Sequence, residues 1–231
     1  MMVSRFEIPA GHVMRGFVFE VEWPDDPGVV WSHFGARRVA FNWALDRVKA
    51  DMDARRINLT THIDEIVALF EREDIGDAVL CGHSYGGMVI GGVADRIPER
   101  IRSLVFLDAV VPENGKCMHD YVFPGWRLLP ILISVWLFGR GYKLTPPPPA
   151  WFFNVNKTDR AMVNRRLTAH PYATLSEKIR IGNNADRIPN HAYIHAADWG
   201  NAQIAKQYER AKRREGWKVF EVRSGHDVMI D

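Results

Sequence analysis

"DAVLCGHSYGGMVIGGVADR", residues 77–96, decides how this chain is read. A short apolar run leads into Gly82-His83-Ser84-Tyr85-Gly86, and a stretch of small and apolar residues follows. The run has the continuous apolar character of a strand covered on both faces, as in a parallel sheet, and the stretch after it reads as a helix. Ser84 therefore sits on a tight strand-to-helix turn. The flanking glycines answer a steric problem: a serine held there in a strained conformation brings two backbone segments together and leaves no room for side chains. Its hydroxyl is a weak nucleophile at neutral pH. It needs a base within hydrogen-bond reach, a partner to hold that base, and donors for the oxyanion.

Outward from this turn the chain alternates strand and helix. Upstream, "NLTTHIDEIVALFERED" (58–74) offers Asn58, Thr60 or Thr61 as N-cap and a helical apolar face of Ile63, Ile66, Val67 and Phe70. Downstream, "IRSLVFLDA" (101–109) is a second buried strand, so the two strands and the helix between them form a βαβ unit. Further on, "AYIHAAD" (192–198) and "WKVFEVRSG" (217–225) read as strands separated by the helix "NAQIAKQYERAKRREG" (201–216), and "TDRAMVNRRLTAH" (158–170) is helical text. The greasy segment "LLPILISVWLF" (128–138) is too short to cross a bilayer, which takes about 20 apolar residues, and is expected as a buried or lid helix, with interfacial membrane contact the minor alternative. "PPPP" (146–149) favours extended polyproline geometry. Near the start, "FVFEVEW" (17–23) alternates as a half-buried strand does, and residues 29–56, free of proline, read as one or two helices.

Composition narrows the function classes. With 231 residues, 47% hydrophobic and 25% charged, the chain suits a soluble domain with a sizeable core. A net charge of +2, from scattered basic residues, does not make the stripe that a phosphate backbone requires, so nucleic acid is not an expected partner. Cys81 and Cys117 cannot make a disulfide framework, and the first residues carry no signal-peptide pattern, so a reducing cytoplasmic location is expected. No transmembrane segment, cofactor or metal is expected.

Of nine histidines, His226 stands out because it directly follows the last strand, from where a loop can swing an imidazole towards Ser84. For the acid, Asp198 follows the preceding strand and is the expected partner of His226 Nδ1, though Asp there also serves as an N-cap; Asp108, at the end of "SLVFLDA", is the substitute. His83 is expected to line a pocket beside the serine, and His170 either faces that pocket or ends a helix.

From about residue 57 onward, "INLTTHIDEIVALFEREDIGDAVLCGHSYGGMVIGGVADRIPERIRSLVFLDAVVPENG" and "GHDVMID" resemble the α/β-hydrolase superfamily, in the small esterase branch of methylesterases and hydroxynitrile lyases. The resemblance implies a mainly parallel sheet with flanking helices and a helical cap over about residues 113–185. It also implies Ser84 as nucleophile, His226 as base, the Tyr85 N–H as one oxyanion donor, and a small-molecule ester as substrate. Residues 1–56 tell another story: "SHFGARRVAFNWALDRVKADMDARR" is similar to the beginning of TnpB-type insertion-sequence transposases. The fold expected is therefore α/β, an incomplete α/β-hydrolase domain after an unrelated N-terminal strand-plus-helix segment.

That junction lacks the family's His-Gly oxyanion loop and its early strands; losing one such donor costs about 3–4 kcal/mol of transition-state stabilisation, which activity can survive alone, and the missing strands matter more, so the expectation is a serine ester hydrolase with weak or absent activity. It also leaves "DAVLCGH" as an exposed edge prone to self-association, unless Arg15–Trp23 or a second chain covers it. Ending at Asp231, the sequence lacks the family's final helix. The competing expectation is a non-catalytic chimeric remnant, or a transposase-derived nucleic-acid-binding fragment; in residues 1–56 eight basic and eight acidic residues balance, which weakens the latter.

Overall fold

The computed structural model describes residues 38–41, 54–123 and 125–230. Five strands form one parallel sheet. The first, β1 (Arg38–Phe41), is followed by helix α1 (Leu59–Arg72), β2 (Ala78–His83), α2 (Gly86–Arg96) and β3 (Ile101–Leu107). A long connection then carries α3 (Met118–Val122), α4 (Leu129–Leu137), the short strand β4 (Lys143–Leu144), α5 (Arg160–Arg166), β5 (His170–Pro171) and α6 (Tyr172–Ser176). The chain returns to the sheet as β6 (Asn190–Ala196), α7 (Ala202–Ala211) and β7 (Trp217–Val222). The sheet order is β1-β2-β3-β6-β7 with every neighbouring pair parallel, while β4 and β5 pair antiparallel by themselves.

Local chemistry explains the main elements. Asn58 caps α1: its Oδ1 accepts from the Thr61 N–H at 2.8 Å while Thr61 Oγ1 accepts from the Asn58 N–H at 3.3 Å, a reciprocal box that satisfies two otherwise orphaned amides. The buried face of α1, including Ile63, Ile66 and Phe70, joins Met88, Ile90 and Val93 of α2 and Leu80, Leu104 and Phe106 of the sheet in the main apolar core. A smaller cluster on the sheet gathers Val105, Ala192 and Ile194, with Val79 and Cys81 half-buried beside it. β2 is thus more covered at Leu80 than at its neighbours, and the expectation of full burial on both faces holds for one face only.

Two expectations about the start of the chain change. Residues 38–41, read as helix, are a strand: Arg38 to Phe41 pair in parallel register with Val79 to Gly82. Consequently β2 is an internal strand, and the surrogate neighbour comes from residues 38–41. The proposed strand at Arg15–Trp23 and the remainder of the expected helices lie outside the described residues. Tertiary pairing overrides helical periodicity here, because a parallel strand is stabilised by the ladder it joins as much as by its own sequence.

The greasy segment is a helix as expected, but it is not buried: of α4, Val135 alone reaches the core fully, and most of the others face outward.

The fit at Gly82 leaves no room for a side chain. A Cβ built there meets the Gly86 carbonyl oxygen at 2.6 Å and Ile90 Cγ1 at 2.9 Å, so the start of α2 lies directly on the end of β2. Replacing Gly82 with Ala is expected to lower unfolding free energy by about 2–3 kcal/mol, as overpacking against backbone does, measurable as a reduced urea midpoint at unchanged m-value.

Candidate active site

All the candidate groups sit past the carboxyl ends of parallel strands, where open α/β sheets form their crevices. Ser84 follows β2, Asp108 follows β3, Asp198 follows β6 and His226 follows β7. The turn carrying Ser84 is strained as its sequence predicts, with Ser84 at φ +54°, in the left-handed region that non-glycine residues avoid. The price is met by close packing: the Val110 N–H donates to the Ser84 carbonyl at 3.3 Å, and a Cβ on Gly87 would collide with the Val110 carbonyl oxygen.

Ser84 and His226, far apart in sequence, meet. His226 Nε2 lies 2.8 Å from Ser84 Oγ, and His226 Nδ1 lies 2.7 Å from Asp108 Oδ2. The network assigns one tautomer: Nδ1–H donates to the carboxylate and Nε2 accepts from the hydroxyl. Asp108 is also at positive φ, +42°, with its N–H donating to the Ile194 carbonyl at 2.7 Å, which turns its side chain towards the strand ends on the β6 side.

Asp198, the expected acid, is elsewhere. Its carboxylate faces outward with Arg223 Nε at 3.5 Å from Oδ1, and its backbone N–H is tied to the Ser224 carbonyl at 3.1 Å. The strand order explains the difference. β3 lies between β2 and β6, so an acid on its end can reach the imidazole, whereas the pairing of Asp198 with Ser224 aims its side chain at solvent.

The Asp108 carboxylate is fully buried and uses both oxygens. Oδ1 accepts from His195 Nδ1 at 2.9 Å and from the Ala196 N–H at 3.1 Å, while Oδ2 takes His226. Burial pushes this carboxyl up, but the hydrogen bonds from His195, His226 and Ala196 outweigh it and hold it at about 2. Asp108 therefore stays ionised at neutral pH.

His83 packs against His226 and bonds its backbone more than it lines a pocket. Its Nε2–H donates to the His226 carbonyl at 2.8 Å and its ring lies 4.4 Å from the His226 ring. Burial, together with the neighbouring His226, pushes it down to about 3, so His83 is neutral. On the other side Trp199 stacks on His226 with ring centroids 3.8 Å apart, and Trp199 Nε1–H donates to the Phe152 carbonyl at 2.8 Å. Phe153 stacks more loosely at 5.6 Å, and its carbonyl accepts from the His226 N–H at 2.9 Å. Neither Trp199, Phe153 nor His195 was expected from the sequence. His195 and Trp199 adjoin the flagged end of β6, whereas no sequence signal marked Phe153.

Tyr85 places its backbone N–H at the start of α2, where amides have no intrahelical acceptor and the helix dipole favours negative charge. Its side chain turns inward: the hydroxyl lies 3.0 Å from His62 Nδ1, and the ring meets the His170 ring edge-on at 5.4 Å. His170 Nε2 is 2.6 Å from Thr174 Oγ1, and burial pushes this histidine down to about 4. His170 thus packs beside the residue that follows the serine. Among the described residues no group of three or more His, Cys, Asp or Glu side chains is arranged to hold a metal ion.

A sequence profile of the alpha/beta hydrolase family matches residues 10–231. The chain belongs to the α/β-hydrolase family. It is 37% identical over 194 residues to a carbendazim hydrolyzing esterase from Nocardioides sp. (strain SG-4G), covering 79% of this chain and 78% of that one. Solved α/β-hydrolase structures share the fold at lower identity. An extracellular alpha/beta-hydrolase from a Paenibacillus species superposes with a TM-score of 0.62 at 21% identity, over 76% of this chain and 74% of that one. Tomato methylketone synthase I does so at 0.58 and 15%, over 77% and 74%.

The neutral buried histidine makes this α/β-hydrolase acid-sensitive. Below about pH 6.5 the unfolded chain binds a proton at His83 that the folded chain refuses until about pH 3, so stability falls as pH falls across that window. At about pH 5 the loss from His83 alone is about 2 kcal/mol. Thermal melts between neutral pH and about pH 5 are expected to show Tm falling steeply. The slope is expected to flatten in His83→Gln, whose amide still donates to the His226 carbonyl.

Proposed function

We propose that this protein is a serine ester hydrolase acting on small, largely apolar carboxylic esters through Ser84, His226 and Asp108. The observation that carries the reading is the unbroken hydrogen-bonded line from Ser84 Oγ through His226 to Asp108 Oδ2 at the strand ends. The esterase relative at 37% identity supports the ester as substrate class. Free thiols at Cys81 and Cys117 suit a reducing cytoplasm.

In the proposed reaction Ser84 Oγ attacks the ester carbonyl carbon while His226 Nε2 takes the hydroxyl proton. The negative charge that builds on the carbonyl oxygen is met by the Tyr85 N–H at the start of α2. Collapse of this intermediate breaks the bond to the alkoxide, which leaves as the alcohol with the proton from His226. Water then gives its proton to His226 and attacks the acyl group, releasing the acid and restoring Ser84. Asp108 keeps the imidazole in the required tautomer and stabilises its protonated form without taking the proton. Trp199 presents its face to the same ring, where a transient imidazolium gains cation–π stabilisation.

The competing reading, a transposase-derived nucleic-acid-binding fragment, draws its support from the sequence of residues 1–56 alone. Pairing of Arg38–Phe41 with β2, and a family match that begins at residue 10, favour a hydrolase sheet there.

Hydrolysis of short-chain p-nitrophenyl esters and labelling by a fluorophosphonate test the proposal. Both are expected to vanish in Ser84→Ala. Asp108→Asn is expected to lower kcat by about 10⁴, the effect of presenting the wrong tautomer, whereas Asp198→Asn, which loses only an exposed ion pair worth about 1 kcal/mol or less, leaves kcat near wild type. The reverse pattern would transfer the acid's role to Asp198, and a folded wild-type protein that neither labels nor hydrolyses would defeat the esterase assignment. Replacing Trp199 with Leu is expected to reduce kcat about three- to thirtyfold, the range of a partly desolvated cation–π contact, with KM little changed.

A further inference from the structure

We propose that the outer face of α4 docks on an anionic lipid bilayer. A helix covering a domain in water normally turns its apolar stripe inward and polar residues outward. α4 departs from this by being apolar on its outward face as well. At about 100° per residue, Leu129, Leu132, Ile133, Trp136 and Leu137 share one arc, and they are 40–75% exposed. The inward arc holds Ile131, Ser134 and Val135, of which Val135 and Ile131 reach the core and Ser134 bonds the Thr145 carbonyl at 2.8 Å. Trp126 and Phe138, at the two ends of this face, are 80% and 64% exposed.

Charge identifies the occupant. From Tyr121 to Thr158 the sequence has no Asp or Glu, and it carries Arg127, Arg140, Lys143 and Lys157. Arg127 and Arg140, which immediately flank the apolar face, are exposed. An apolar, tryptophan-bearing face with basic residues at its margins is the pattern of a helix lying in a bilayer interface: the apolar face enters the acyl boundary, and the cations meet the anionic headgroups. A second copy of this chain fits less well, since a two-fold contact lays the same patch against itself and this segment has no carboxylate to pair with the facing arginines. α4 has nine residues, and no helix among the described residues is long and apolar enough to cross a membrane, so the contact is peripheral.

Docking is independent of the esterase reading and is tested without substrate. The full chain is mixed with vesicles of phosphatidylglycerol and phosphatidylcholine, or of phosphatidylcholine alone, and partitioning is read by flotation. Binding to the anionic vesicles, weakened by high salt, is expected. The pair Leu132→Ser and Trp136→Ser is expected to abolish it. The pair Arg127→Glu and Arg140→Glu is expected to weaken it at least about thirtyfold, each basic residue near such a surface being worth about fivefold. Both pairs change exposed side chains, and unchanged circular dichroism and Tm verify the fold. Three results would overturn the proposal: no partitioning of wild type, partitioning indifferent to both variant pairs, or a dimer in analytical ultracentrifugation that the serine pair dissolves while vesicles remain unbound.

Discussion

The site is organised around a single buried carboxylate with both oxygens engaged. Asp108 binds His226 through one oxygen and both His195 and the Ala196 amide through the other. Its own amide is tied to Ile194. In this way the end of β3 is fastened to the end of β6 and to the loop after β7, and the imidazole that reaches Ser84 inherits its position from those bonds. An ionised carboxylate without water must be fully paired or give up its charge. The pairing here is complete, and the charge stays.

The imidazole is held as firmly as the carboxylate. Its backbone amide and carbonyl are both engaged, by Phe153 and by His83, and its ring is enclosed by Trp199 and His83. That leaves Nε2 as the atom facing the serine. The strain at Ser84 and Asp108, two non-glycine residues in left-handed conformation, belongs to the same arrangement. Strain of this kind persists only where surrounding packing over-determines it, and the contact of Gly82 and Gly87 with neighbouring backbone supplies that packing.

Much of this was legible before any coordinates. The glycine pattern around Ser84 is a statement about sterics, and the position of His226 after the last strand is a statement about topology, so both survive translation into three dimensions. The choice between Asp198 and Asp108 was not legible, because it depends on strand order and on the direction in which a terminal residue leaves its strand. A residue at φ +42° points its side chain where no periodicity argument can follow. Arg38–Phe41 misled for a related reason: four residues surrounded by helix-like text become a strand when a neighbouring ladder is available. For α4 the sequence gives its helix but not its outward-facing side, since a helix that is apolar all round carries no inward direction of its own.

The 3₁₀ turn at Ala150–Phe153 holds the indole of Trp199 through one carbonyl and the backbone of His226 through the next. A hinged cover that swung away as one body would break both bonds and loosen the seat of the imidazole, leaving its tautomer to Asp108 alone. A movement of the β3–β6 connection that left this turn seated would keep both bonds.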